Sequence, residues 1–160
     1  ASMVFYLVAY LITNLAAFGA VVIFWQATGS DEIASYAGLS RRSPGLALAM
    51  MVAFLSLAGM PPLAGFVAKV FVFAAAVQSD YIWLAVVGVL NSIIGLYYYL
   101  TVLKVVYLFR SDDEDKPLLV SRPNRIALTV LTIGIVLVGT LFGPWYNLAD
   151  KIAGAIFGSF

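Results

Sequence analysis

The chain has 160 residues, 63% hydrophobic and 11% charged, with a formal net charge of +1 and neither cysteine nor histidine. A water-soluble domain carries roughly 25% charged residues, so this chain needs lipid or other apolar subunits around it, and its small net charge gives no electrostatic basis for binding nucleic acid. The missing residue types exclude disulfides, thiolate and imidazole metal sites, Fe–S ligation and any Ser–His or Cys–His catalysis, leaving proton chemistry to Lys, Tyr, Asp, Glu or water.

The pattern predicts an all-α polytopic membrane protein, one bundle over residues 1–160 with four transmembrane helices. Met3 to Trp25 is too long for a signal h-region, has no basic residue before it, and is the first span. It is long enough to cross ~30 Å of hydrocarbon at ~1.5 Å per residue. The start at Ala1-Ser2-Met3 suggests a piece of something longer. A polar stretch, 26–43, holds Asp31, Glu32, Arg41 and Arg42. Segment two, 44–78, is too long for a simple span and is broken at Gly59-Met60-Pro61-Pro62. After the polar turn Gln78-Ser79-Asp80, segment three runs over 81–109. The most charged stretch, 110–125, carries Asp112-Asp113-Glu114-Asp115. Segment four covers 126–142 and stops at Gly143-Pro144-Trp145-Tyr146. Residues 147–160 are a candidate interfacial helix, with Leu148, Ile152 and Ile156 on one face. No internal repeat is present.

With four spans, loops 26–43 and 110–125 share one side. They hold Arg41, Arg42, Arg110, Lys116, Arg122 and Arg125, whereas the other side holds only Lys151. The positive-inside rule makes the basic side cytoplasmic. All eight acids fall in loops or at ends. Only Lys69 and Lys104 are basic residues within spans.

Lys69 lies about nine residues, hence ~14 Å, from Gln78. That is near mid-membrane, where a lysine costs at least ~2.5–3.5 kcal/mol on insertion scales. It persists only facing protein or water, and a lysine poised between charged and neutral suits a proton relay. A bland alternative is a static pairing or a reach to a headgroup. The break at Gly59, Pro61 and Pro62 strengthens the functional reading. The prolines lack N–H donors, so the helix opens and frees carbonyls, which is tolerated only beside protein or a water-filled cavity. Transporters build ion sites from such breaks. Gly65, one turn before Lys69, is expected to leave room beside it. Two separate short helices are the alternative, each half too short for a comfortable span. Lys104, about five residues from the end of segment three, could equally snorkel. Tyr97, Thr101 and Lys104 share a helical face, a candidate polar path. Asn91, Ser92, Gly95, Thr13 and Asn14 read first as packing residues. No carboxylate lies within a span, so the partner of Lys69 must be water, backbone, or an acid elsewhere.

Four blocks then appear in order. They are Tyr10-Leu11-Ile12-Thr13-Asn14-Leu15-Ala16-Ala17-Phe18, Tyr36-Ala37-Gly38-Leu39, Leu55 through Lys69 (with Gly59-Met60-Pro61-Pro62 and Gly65-Phe66), and Gly95-Leu96-Tyr97-Tyr98-Tyr99-Leu100. Together they resemble the C-terminal third of the antiporter-like membrane subunits of bacterial NADH:quinone oxidoreductase (respiratory complex I), subunit N in particular. The Gly-x-Pro-Pro…Gly-Phe…Lys block is shared by the wider proton-antiporter family. The Tyr-Tyr-Tyr stretch and a lysine at 69 favour subunit N over the M-type paralogue. The resemblance implies a fourteen-helix fold of two inverted repeats, with segment two as the second broken helix. It implies that Lys69 is the terminal lysine of a proton path and that Lys104 lies near its inner edge. The family's other essential groups, a glutamate and two lysines on earlier helices, are absent from this chain. It also implies a bacterial inner-membrane location and other membrane-arm subunits and the bilayer as partners. This chain itself would hold no cofactor; NADH, FMN, Fe–S clusters and quinone belong to the whole complex. Two alternatives remain: a subunit of a multi-subunit cation/proton antiporter, and an accessory structural membrane subunit.

Overall fold

A computed structural model describes residues 2–157. Among them every regular element is helical. The elements are α1 (Ser2–Thr28), a short 3-10 turn (Ile33–Tyr36), α2 (Leu39–Arg42), α3 (Pro44–Ala58), α4 (Ala64–Gln78), α5 (Ile82–Leu108), α6 (Arg122–Thr140) and α7 (Phe142–Phe157). Three of them, α1, α5 and α6, are long and apolar enough to cross a membrane; α3 and α4 are shorter apolar helices.

Local chemistry explains the boundaries. Helix α1 continues past Trp25 to Thr28 and stops where Gly29 takes φ 71° and donates to the Trp25 carbonyl at 2.7 Å. Pro44 opens α3 at a position where its missing N–H costs nothing. Segment two is two helices, because α3 closes at Gly59 (φ 86°) in a Schellman arrangement. There the Met60 N–H reaches the Leu55 carbonyl at 2.9 Å, and the Gly59 N–H reaches that of Ser56 at 3.0 Å. Pro61 and Pro62, joined by a cis bond, lead to α4.

The predicted fourth segment differs in both bounds. It starts at Arg122 rather than 126, because Pro123 sits in the first turn. It ends at Thr140, two residues short of the expected 142 and just before Gly143-Pro144. Pro144 cannot bond the Thr140 carbonyl and crowds it, which bends the chain at Leu141, and the helix resumes at Phe142 as α7. The candidate interfacial helix is therefore part of an element that starts before 147, and its residues 158–160 lie outside those described.

Pairs of side chains fix how the helices line up. Tyr36, at the end of the 3-10 turn before α2 and α3, stacks on Phe24 at 3.9 Å; Ser56, near the end of α3, meets Thr13 at 3.2 Å; and Phe71 of α4 meets Phe5 edge-on at 5.6 Å. Thus α3 and then α4 follow each other antiparallel along α1, with the break beside mid-α1. Helix α5 runs back along both, Phe73 lying against Gly88 and Phe54 against Tyr99. Helix α6 also runs antiparallel to α1, Leu128 beside Gly19 and Gly134 beside Ile12. Tyr146 of α7 reaches Phe5, Phe71 and the Ser2 hydroxyl. The buried stripe of α1 is Phe5, Ala9, Thr13, Ala16, Ala17, Ala20 and Phe24. Such small residues let backbones approach closely, which drives helix association where lipid removes the hydrophobic contrast. By contrast, α5 shows Val86, Leu90, Ile93, Ile94 and Tyr97 outward.

The two basic loops lie against each other. Gly38, left-handed at φ 73°, donates its N–H to the Phe109 carbonyl at the end of α5, and the Leu118 N–H reaches the Arg42 carbonyl. Arg41 pairs with Glu114, and the Arg42 Nε donates to the Lys116 carbonyl at 3.1 Å. The Tyr36-Ala37-Gly38-Leu39 block is thus a clip: Tyr36 and Leu39 are buried anchors, and Gly38 supplies the backbone conformation between them.

Candidate functional site

The site forms where α3 stops. A helix end leaves four carbonyls without intrahelical partners. The Gly59 and Met60 N–H groups satisfy those of Leu55 and Ser56, which leaves Leu57 and Ala58. Lys69, in the second turn of α4, sends its side chain back toward the start of its own helix, as helical side chains do. Its Nζ donates to the Leu57 carbonyl at 2.9 Å and the Ala58 carbonyl at 3.4 Å. The ammonium thereby sits on the negative end of the α3 dipole, the favourable pole for a cation. Gly59 serves twice here. Its φ needs a residue without Cβ, and a Cβ would lie 3.2 Å from the Lys69 Cδ and 3.4 Å from Nζ.

A second polar cluster holds the break together. The Gly65 N–H, an orphan donor of the first turn of α4, reaches the Ser56 hydroxyl at 3.0 Å. Ser56 Oγ lies 3.2 Å from Thr13 Oγ1, which donates to the Ala9 carbonyl at 2.7 Å. With its proton committed to Ala9, Thr13 accepts from Ser56. Both hydroxyls are buried, at 0% and 1% exposure, so this chain of bonds ties α1, α3 and α4 at one point. Gly65 does not leave empty space beside Lys69. A Cβ there would overlap the Ser56 carbonyl oxygen and lie 2.7 Å from its carbon, so Gly65 is the point where the two half-helices touch. On the far side, Gly139 of α6 presses on the Pro62 carbonyl in the same way.

Lys69 opens onto a cleft of about 520 Å3 bounded by α1, α3, α4 and α5. Tyr6 and Tyr10 line it from α1; Asn91, Ser92, Tyr98 and Tyr99 line it from α5. No carboxylate is among its lining residues. These residues can carry a chain of hydroxyl and amide groups, or water, to the lysine.

Tyr97, Thr101 and Lys104, expected to share a polar face, stand apart from this cleft. Tyr97 is 69% exposed, and the Thr101 hydroxyl donates to the Tyr97 carbonyl at 2.8 Å. Lys104 is exposed, with Nζ 5.7 Å from the Phe109 ring. None of the three lines the Lys69 cleft. The α5 residues that do line it share one face through Gly88, Asn91, Ser92, Ile94, Gly95, Tyr98 and Tyr99, with Ile94 at its exposed edge. Their spacing of three and four fits one helical face, but on a helix that is apolar nearly all round it does not stand out in the sequence.

The long apolar helices and their outward apolar faces define a membrane protein that is helical throughout its described residues. A family model described as NADH:quinone oxidoreductase/Mrp antiporter, transmembrane, matches residues 1–95, and the chain belongs to that family. Its relatives include NADH-quinone oxidoreductase subunit N of Moorella thermoacetica, 40% identical over 98% of this chain and 33% of that protein. Subunit N 2 of Herpetosiphon aurantiacus is 46% identical over 95% of this chain and 29% of that protein. Among solved structures, respiratory complex I from Thermus thermophilus with bound aureothin contains a chain that superposes with a TM-score of 0.73. It is 32% identical over 87% of this chain and 32% of that chain. The chain spans about a third of the length of these relatives.

Proposed function

We propose that this chain is the C-terminal third of a proton-translocating, subunit-N-like membrane-arm subunit of a bacterial NADH:quinone oxidoreductase. In this reading α1, the α3–α4 pair, α5, and α6 with the first turn of α7 are four spans in the inner membrane. The two clipped basic loops face the cytoplasm, and other membrane-arm subunits and lipid surround the bundle. The chain would serve an enzyme without holding its redox groups; NADH, flavin, Fe–S clusters and quinone would belong to the rest of the complex.

The observation that carries the proposal is the Lys69 ammonium on two carbonyls released by the break, at the wall of a cleft lined by tyrosines and amides. Depth supports it. The break lies level with Thr13, roughly 16 Å along α1 from Ser2 and 22 Å from Thr28 at ~1.5 Å per residue, so a bilayer crossed by α1 would hold Lys69 near its middle. Intramembrane lysines that face a polar cavity mark ion and proton paths. Lys69 would take a proton from the cleft and pass it outward as the complex changes state.

Replacing Lys69 with Ala in the intact complex is expected to lower the number of protons moved per electron while leaving the subunit assembled. Unchanged stoichiometry with full assembly would refute the role. The matching family model also covers antiporters, which favours cation/proton exchange as the second reading. Exchange driven by a cation gradient, without NADH or quinone and sensitive to Lys69→Ala, would establish it instead.

A further inference from the structure

We propose that the groove between the start of α3 and α6 is a binding site for one anionic phospholipid, its phosphate held by Arg42 and Arg125 and one acyl chain lying along α6. The inference rests on the membrane-spanning placement above and is independent of the chemistry assigned to Lys69.

The groove, of about 580 Å3, lies on the outside of the bundle at the side of the basic loops. Arg42 and Arg125 stand at its mouth. Of the neighbouring cations, Arg41 is matched by Glu114 and Lys116 by Asp113. Among the described residues no carboxylate forms a salt bridge with Arg42 or Arg125, Asp113 sensing Arg42 only as a weaker, more distant charge, and none lines the groove. Arg42 uses its Nε on the Lys116 carbonyl, which fixes the guanidinium while leaving its terminal nitrogens for an acceptor. Both walls begin at the mouth, α3 at Pro44 and α6 at Arg122. The positive ends of two helix dipoles therefore add to the two arginines.

Away from the mouth the walls become apolar. Leu48, Leu128 and Ile133 line them, and the Thr129 and Thr132 hydroxyls are turned onto their own helix, bonding the Arg125 and Leu128 carbonyls at 2.8 and 2.7 Å. From Arg125 to Ile133 the groove extends ~12 Å along α6, close to the ~15 Å of one leaflet. A cationic mouth above a dry, leaflet-deep trough matches a negatively charged two-tailed lipid. A neutral apolar protein helix lying there would leave both arginines without a counter-charge, and a free phosphate would leave the trough unfilled. Basic pockets between spans on the cytoplasmic side suit anionic headgroups.

The test uses the intact complex with a photoreactive phosphatidylglycerol carrying its diazirine in an acyl chain, and a phosphatidylcholine analogue as control. Adducts on α6 residues 128–133 are expected from the first probe and few from the second. In R42Q/R125Q the labelling should fall about thirtyfold, the loss expected for two cations at a membrane surface. R42K/R125K should retain most of it, and L48W, filling the trough with both arginines in place, should lose it. Equal labelling by both probes, unchanged labelling in R42Q/R125Q, or wild-type adducts absent because protein covers the groove would each overturn the site. Lys69→Ala should label like wild type, so failure of the proton-transfer role leaves this result unaltered.

Discussion

Gly65→Ala separates what helix propensity predicts from what this break requires. In an ordinary helix interior the change is favourable by ~0.8–1 kcal/mol. At Gly65 the new Cβ overlaps the Ser56 carbonyl oxygen and lies 2.7 Å from its carbon and 3.0 Å from its Oγ. Two of these three atoms are backbone, so no rotamer change relieves the clash and α4 must slide away from α3. Overpacking of this kind costs ~1–3 kcal/mol, and a backbone collision belongs at the upper end, so the net change is a loss of about 2 kcal/mol. The matched control is Gly154→Ala in α7, where nothing lies within 4 Å of the added Cβ; it is expected to gain up to ~1 kcal/mol. Thermal unfolding of the purified complex or full-length subunit in detergent, followed through this subunit, reads the difference of about 3 kcal/mol. The slide also draws Lys69 off the Leu57 carbonyl, now 2.9 Å away, so proton movement per electron should fall in Gly65→Ala and stay at the wild-type value in Gly154→Ala. Equal stability of the two variants would refute the contact between half-helices.

Ser56→Ala leaves the Gly65 N–H without its acceptor and Thr13 Oγ1 without its donor in a buried place, at a cost of ~1–3 kcal/mol in the same unfolding assay; a variant within a few tenths of wild type would exclude this link between α1, α3 and α4. Asp113 tests the 110–125 loop by pH. Its hydrogen bond from Lys116, at 2.6 Å, followed by the charge of that ammonium, holds its carboxyl below the ordinary range. The folded value is depressed, so any stability it contributes is present above the unfolded value of ~3.9 and is lost as the pH falls through the lower folded one. Lys116→Gln should raise the Asp113 midpoint, followed by carbon-13 NMR of labelled aspartate, with little change in stability because the pair is exposed. An unmoved midpoint would mean that the pair does not persist in solution.

Some of this architecture is legible from residues alone because it breaks rules. Two prolines and a glycine inside an apolar run can only interrupt a helix, and a lysine in such a run stands out against its surroundings. Hence the end of α3, the position of Lys69 and the supply of free carbonyls follow from the sequence. The cleft-facing side of α5 does not. That helix is apolar nearly all round, so its periodicity is flat, and Tyr97-Tyr98-Tyr99 offers a tyrosine to every face. Only packing against Phe54 and Phe73 turns Tyr99 and Gly88 inward and leaves Tyr97 outside. Gly143-Pro144 misleads for a related reason. The pair does mark the end of α6, but the Phe142 and Tyr146 rings pack on Phe71, and that contact holds a new helix, α7, directly after the bend. Gly65 is conspicuous in sequence, yet its role depends on what lies opposite, and the Ser56 backbone is nine residues away along the chain.

The partner of Lys69 brings these features together. A carboxylate beside the lysine would stabilise the ammonium by a full opposite charge and hold the proton. The break supplies two carbonyl dipoles and the end of a helix dipole instead, a fraction of a charge. That is enough to place the ammonium, since two acceptors at 2.9 and 3.4 Å define its position, and it opposes deprotonation less than an ion pair would. The acceptors also depend on the geometry of the break: they are available only while α3 ends at Gly59, α4 begins beside Ser56 and Gly139 supports Pro62. A shift of α4 along α3 would change the stability of the charged lysine without moving any charged group toward it. In the proposed role, helix position and proton affinity would be coupled in this way through neutral backbone, so that a cleft lined by no carboxylate would still suit a proton path driven from elsewhere in a complex.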